Sequence, residues 1–249
     1  MNFSDMILFQ VPPDGGVLYA ETNMREFFPE PLNAFTSVFF LLLAIYWTYK
    51  LRGKGKQHTF LSIALVLLYI GGIGGTIYHG LRQWSFFIMM DWLPIMLLCV
   101  MAGVYFLARV TKWYYAALLV AAYIAFQVVA RETMITQGYT HIYLNINYAI
   151  LACIVLFPVL AFLTVTGFRN GRWVWYAFVA FLLALTCRVV DMWYWMETGT
   201  HFLWHVFGAV AAYCMFRYIY LVNETELIAP QVIDREKTKS HSQRIESGI

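Results

Sequence analysis

The stretch HFLWHVFGAVAAYCMFRYIYL, residues 201–221, is apolar and aromatic along almost its whole length, yet it carries two histidines near its start. Its length matches that of a helix crossing a bilayer, which needs roughly 20 apolar residues. His201 and His205 are four residues apart and therefore share one face of that helix. Ionisable side chains at membrane depth are costly, so the pair marks a candidate functional site.

The whole chain has the composition of a membrane protein. Of its 249 residues, 61% are hydrophobic and 12% are charged, whereas a soluble domain has about 25% charged residues. The net charge of +3 gives no indication of a nucleic-acid partner. We expect the partners to be the bilayer and a membrane lipid, and the sequence leaves the oligomeric state open.

Seven apolar runs follow one another along the chain, which predicts an all-α integral membrane protein with seven transmembrane helices. We expect residues 1–31 to form an outer segment, residues 32–221 the helical bundle, and residues 222–249 a polar cytoplasmic tail without stable structure. The predicted spans are 32–49, 59–79, 87–108, 114–130, 143–167, 173–195 and 201–221.

Lysine and arginine mark alternate loops, and this asymmetry predicts the orientation. Basic residues crowd the first loop, from Lys50 to Lys56, and recur in the third and fifth loops and in the tail. The opposite side has only Arg25, Arg82 and Arg131. The N-terminus is therefore expected outside or in the lumen and the C-terminus in the cytoplasm, in a membrane that the sequence does not identify.

Four ionisable residues from distant parts of the sequence are predicted to share one depth, near the outer leaflet. His79 ends the second span, Asp91 lies just inside the start of the third, and His201 and His205 open the seventh. Two further residues of this kind, Arg188 and Asp191, are three apart in the sixth span, and we expect them to form a structural ion pair.

Three histidines at one depth suit a catalytic zinc, which takes three protein ligands and keeps a fourth position for water. The alternative is that the imidazoles only bridge or cap helices by hydrogen bonds. Asp91 has two candidate roles beside such a metal. It could orient a ligand histidine, or it could act as a general base toward the bound water.

The segments GGTIYHG (74–80), MMDWLP (89–94) and THFLWH (200–205) together resemble the alkaline ceramidase family, within the seven-helix hydrolases that include the adiponectin and progestin receptors. The resemblance covers about residues 18–221. It implies zinc ligands at His79, His201 and His205, with Asp91 as the acid. It also implies hydrolysis of a lipid amide, with ceramide giving a sphingoid base and a fatty acid.

The chain departs from that family in its second span. The family has a serine four residues before the histidine, close to the metal-bound water, whereas this chain has Gly75. The nearest hydroxyl in the sequence is Thr76, which is rotated by about 100° on a regular helix. Thr76 is therefore the candidate oxyanion donor only if the glycine run distorts the helix.

The resemblance also implies a calcium site in the N-terminal segment. ETN supplies Glu21 and Asn23, and EPLN supplies Glu30 and Asn33. Carboxylate and carbonyl oxygens are the ligands that calcium prefers. Against this, the two motifs lie closer together than in the animal enzymes, and Leu18 stands where those enzymes have an acid, so solvated acids at the membrane surface are the alternative.

Two functions of different classes remain open from the sequence. The first is a zinc-dependent intramembrane hydrolase that cleaves a lipid amide. The second is a lipid-binding receptor or scaffold of seven helices that keeps zinc for structure, and Gly75 is the feature that favours it.

Overall fold

The computed structural model describes residues 11–224 and contains seven long helices, with no strand in that part of the chain. Each helix is long and apolar enough to cross a membrane, which confirms the seven-helix prediction. The helices are α1 (Pro31–Lys50), α2 (Thr59–Leu81), α3 (Ser85–Val110), α4 (Trp113–Thr136), α5 (Thr140–Val165), α6 (Gly171–Asp191) and α7 (His201–Glu224).

The helix ends differ most from the prediction at α4 and α6. α4 continues past the apolar run to Thr136 with its polar residues exposed. The prediction that the sixth helix reaches residue 195 is wrong, because the chain leaves the helix after Asp191 and Tyr194 adopts a left-handed backbone, φ +52°. Trp193 and Trp195 continue the apolar run, but they lie beyond the end of the helix. The predicted tail falls almost entirely outside the described residues, apart from 222–224, which are helical.

Six of the helices form a ring, and α4 lies outside it. In the ring α1 contacts α2, α2 contacts α3, α3 contacts α5, and the circuit continues through α6 and α7 back to α1. α4 packs only on α3 and α5, and it buries only Ala116 and Tyr123. The ring brings α2, α3 and α7, the three helices with candidate site residues, to one region.

The helices approach closely at the glycines of α2. A Cβ atom at Gly74 would lie 2.6 Å from the carbonyl carbon of Met90 in α3, so the two backbones meet there without an intervening side chain. Small residues allow such contacts between membrane helices. Toward the C-terminal ends of α1, α3 and α7, the bundle is instead filled by large aromatic side chains such as Trp47, Phe106 and Tyr218, which are fully buried.

The N-terminal segment, residues 11–30, lies across one end of the helical bundle. The backbone amide of Ala20 donates to Asp191 Oδ2 at 3.1 Å, at the end of α6. The side chain of Asp14 binds Arg82 at the end of α2. Tyr19 stacks on His201, the first residue of α7. The segment therefore covers the same end of the bundle that holds the histidines.

Candidate metal centre

Three histidine side chains converge beneath the N-terminal segment. His79 lies in the last turn of α2, while His201 and His205 occupy the first two turns of α7, and all three are buried. The Nε2 atoms of His201 and His205 are 3.2 Å apart. One ligand nitrogen from each residue lies within 4.8 Å of the others.

These nitrogens fit a tetrahedral zinc. Bonds of about 2.0–2.1 Å in that geometry place ligand nitrogens about 3.3 Å apart, close to the separation of the two Nε2 atoms on α7. Nε2 of His79 is buried and has no hydrogen-bond partner in the described part of the chain. This nitrogen and the two imidazoles beside it could hold a metal ion.

Hydrogen bonds orient two of the three rings. Nδ1 of His79 donates to Oε2 of Glu30 at 2.5 Å. Nδ1 of His205 donates to Oγ of Ser37 at 2.6 Å, and that hydroxyl donates in turn to the carbonyl of Asn33 at 2.9 Å. A proton on Nδ1 leaves the lone pair of Nε2 free, which is how carboxylates and hydroxyls orient metal-binding histidines in general.

The third ring, that of His201, is held by stacking. Its centroid lies 3.9 Å from the Tyr19 centroid, with an angle of 23° between the two planes. Its Nδ1 atom has no hydrogen-bond partner among residues 11–224. Tyr19, itself buried, therefore covers the histidine cluster from the outer side.

Glu30 is the residue whose role the sequence did not indicate. It was expected as a calcium ligand, but both its oxygens bind protein donors, including His79 and Arg82. Burial by itself would raise the pKa of Glu30, but the hydrogen bond and charge of His79, together with the charge of Arg82, outweigh it and lower that pKa. The carboxylate form is therefore the one that faces His79.

Asp91 lies against α2 at Gly75. A Cβ atom at Gly75 would be 2.5 Å from Oδ1 of Asp91, so this approach requires glycine. Asp91 makes no hydrogen bond within residues 11–224. One of its two candidate roles was to orient a ligand histidine. In the structure Glu30 orients His79 and Ser37 orients His205. The Asp91 side chain therefore orients neither of these two histidines.

A hydroxyl from a different helix reaches Gly75. Thr76 donates its hydroxyl to the carbonyl of Gly72 in its own helix, at 2.7 Å, and so does not join the histidine cluster. Ser37 of α1 instead places its Oγ 3.2 Å from the position of a Cβ at Gly75. Ser37 was missed because it lies in the first apolar run, far from the other site residues in sequence.

A cavity of about 220 Å³ extends inward from Asp91, between all the ring helices. Among the described residues, Asp91 is the only charged one that lines it. Its lining residues on α7 run from Trp204 to Ile219, a rise of about 22 Å along a helix. The cavity is therefore long and apolar, and its one carboxylate, that of Asp91, lies at the end near Trp204.

The ion pair expected between Arg188 and Asp191 is not formed, and that prediction is wrong. Oδ1 of Asp191 accepts the backbone amides of Thr200 and His201, at 2.7 and 2.9 Å, because the first amides of α7 have no partner inside their own helix. The Arg188 guanidinium lies over the rings of Tyr148 and Trp204 instead, at 4.9 and 5.4 Å.

The three expected calcium ligands, Glu21, Asn23 and Glu30, each accept hydrogen bonds from the protein. Glu21 accepts the backbone amides of Leu32 and Asn33, at 2.6 and 2.9 Å, in the first turn of α1. Asn23 accepts the amide of Arg25 at 3.1 Å. Each side chain thus has a protein donor, and calcium binding stays a prediction.

Comparison of the chain with family models, with curated proteins and with solved structures finds no match.

Proposed function

We propose that the protein is a zinc-dependent intramembrane hydrolase that cleaves the amide bond of a lipid, with ceramide as the first candidate substrate. The observation that carries the proposal is the juxtaposition of three buried histidines with a long apolar cavity whose single charged residue is Asp91. Metal ligands, a free carboxylate and space for an acyl chain are the three elements that such a reaction needs.

A zinc ion held by His79, His201 and His205 would supply a Lewis acid for the amide carbonyl and would lower the pKa of its bound water toward about 7. Asp91 acts as the general base. Its carboxylate accepts a proton from the attacking water and returns it to the amide nitrogen as the C–N bond breaks. The products are a fatty acid and a free amine.

The cavity selects the acyl part of the substrate. Each buried CH₂ group contributes about 0.8 kcal/mol, and the lining offers no other charged group that would bind a polar chain. The N-terminal segment, with Tyr19 on His201, limits access of bulk water to the histidines. The acyl chain therefore enters from the bilayer, and its amide reaches the histidines at the outer end.

A lipid-binding receptor or scaffold is the second candidate function. Gly75 and the internal hydrogen bond of Thr76 favour it, since α2 then offers no hydroxyl to stabilise an oxyanion. In this alternative the histidines hold a structural zinc, and the cavity holds a lipid that is not cleaved.

The first test is metal content and fatty-acid release in the detergent-purified full chain. We expect about one zinc per chain, lost in a His201→Ala/His205→Ala double variant. Asp91→Asn should keep the zinc and release fatty acid from ceramide about 10²–10⁴-fold more slowly than wild type.

The outcomes separate the two functions. Zinc binding with no fatty-acid release above that of Asp91→Asn favours the receptor or scaffold. A wild type that binds no zinc, even after zinc is supplied, would exclude the hydrolase and leave the histidines as groups that bridge helices.

A further inference from the structure

Arg82 is completely buried between the N-terminal segment and the histidine cluster. It is the C-terminal cap of α2, three residues after His79. Its Nε and Nη2 atoms donate to the carboxylate of Asp14 at 2.8 and 3.2 Å, and Nη2 also donates to the carbonyl of Val17 at 3.0 Å. Nη1 donates to Oε1 of Glu30. One guanidinium therefore binds both ends of the segment formed by residues 14–30.

The backbone at Arg82 is unusual for a residue with a large side chain. Its φ angle is +52°, in the left-handed region where glycine is the usual helix cap. A non-glycine residue persists in that conformation when its surroundings determine it. Here the side-chain contacts of Arg82, together with the Tyr78 ring 4.7 Å from the guanidinium, provide those surroundings.

Glu30 transmits the contact with Arg82 to the metal centre. Its Oε1 accepts hydrogen bonds from Arg82 and Thr22, and its Oε2 accepts from Nδ1 of His79 and Nδ2 of Asn33. The carboxylate is fully buried. A buried charge whose partner is removed is strongly destabilised, so Glu30 depends on Arg82 to keep its position against His79.

We propose that Arg82 is a positioning residue that couples docking of the N-terminal segment to metal binding, by holding the Glu30 carboxylate against Nδ1 of His79. This inference rests on the zinc binding proposed above. Coupling between two binding events is reciprocal. Zinc therefore stabilises the docked segment by the same factor by which the docked segment increases the affinity for zinc.

The test uses the full chain in detergent and two measurements other than hydrolysis. One is the zinc dissociation constant, from competition with a chelator. The other is hydrogen exchange of residues 14–30, with and without zinc. Loss of an outer-shell partner of a metal ligand typically costs about 10–100-fold in metal affinity. We expect Arg82→Met to weaken zinc binding by about that factor and to remove the protection that zinc confers on the segment.

Three further variants make the result specific. Arg82→Lys should recover part of the zinc affinity, since it keeps the charge but not the forked geometry. Asp14→Asn should weaken zinc binding less than Arg82→Met, because Glu30 keeps its cation. Arg217→Met is the matched control. Arg217 is in the C-terminal half of α7, where it lies over Trp173 and Tyr220. Its loss should leave the zinc affinity unchanged.

Equal zinc affinity in wild type and Arg82→Met would overturn the coupling, and so would an equal loss in Arg217→Met. If Arg82→Met does not fold, Arg82→Lys and Asp14→Asn replace it in the test. The coupling requires that each of these two variants binds zinc more weakly than wild type. A wild type that binds zinc without cleaving ceramide contradicts the hydrolase alone. A wild type that cleaves ceramide while zinc leaves the segment unprotected contradicts the coupling alone.

Discussion

At the scale of single residues, the position of Asp91 depends on the absence of a side chain at Gly75. A Cβ atom there would lie 2.5 Å from Oδ1 of Asp91. The alkaline ceramidases have a serine at this position. A serine side chain here would clash with Asp91 in the position that Asp91 has in this structure. The hydroxyl of Ser37 reaches the same neighbourhood from α1.

We predict that Gly75→Ala displaces the Asp91 carboxylate and lowers fatty-acid release about 10²-fold or more, as expected when a general base is misplaced, while zinc binding is retained. The measurement is the turnover rate with zinc content determined on the same sample. Gly80→Ala is the matched control in the same helix. Its Cβ atom would meet only Ala34 and Phe28, at 3.7 and 3.8 Å, so its turnover should equal that of wild type. Unchanged turnover in Gly75→Ala would argue against Asp91 as the base.

The residue types and their depth were enough to predict which histidines come together. The helix pattern places His79, His201 and His205 at one level, and their ligand nitrogens lie within 4.8 Å of one another. Ser37 and Glu30 could not be assigned in the same way, because their roles depend on how α1 packs beside α2 and α7. A hydrogen bond between residues 168 apart in sequence, such as that of Ser37 and His205, has no local signal.

At the scale of helices, α7 is held differently at its two ends. Its first backbone amides donate to Asp191 of the preceding helix. Its last residue, Glu224, is partly exposed and contacts the exposed Lys54 at 3.0 Å and the buried His58 at 3.1 Å. The buried end carries two metal-binding candidates, His201 and His205. Loss of the Asp191 carboxylate should therefore change zinc affinity, whereas loss of the Glu224 carboxylate should not.

We predict that Asp191→Ala destabilises the protein by about 0.5–2 kcal/mol, the usual cost of losing a helix N-cap, and also weakens zinc binding, because His201 is the first residue of α7. Thermal unfolding and zinc competition measure the two effects. Glu224→Gln serves as the control. Exposed ion pairs contribute about 1 kcal/mol or less, so it should leave zinc affinity unchanged. Equal zinc affinity in Asp191→Ala and wild type would contradict the prediction.

The seven helices themselves were predictable, since every one is a long apolar run. The end of α6 was not. Residues 193–195 are as hydrophobic as the helix before them, and hydropathy alone extends the helix through them. The chain instead turns after Asp191, because that carboxylate is required by the amides of α7 and of Ala20.

At the scale of the whole molecule, the cavity runs among the ring helices from Asp91 to Ile219. Ala211 lines it from α7, whereas its neighbour Val210 is exposed on the outer surface of the bundle. A larger side chain at Ala211 would occupy space that an acyl chain needs. Displacement of two CH₂ groups at about 0.8 kcal/mol each corresponds to somewhat more than a tenfold change.

We predict that Ala211→Phe lowers kcat/KM for a long-chain ceramide about tenfold relative to a short-chain ceramide, with zinc content unchanged. Competition between the two substrates in one assay gives the ratio. Val210→Phe adds the same ring outside the cavity and should leave the ratio at its wild-type value. An unchanged ratio in Ala211→Phe would mean that the acyl chain lies elsewhere.

The stacking of Tyr19 on His201 also has a kinetic consequence. In the proposed zinc site, an ion that approaches past Tyr19 would need that ring to move aside from His201. The rate of metal exchange would then depend on how often the N-terminal segment opens as well as on the strength of the nitrogen–metal bonds. Two variants with the same affinity could differ widely in how fast a chelator strips them.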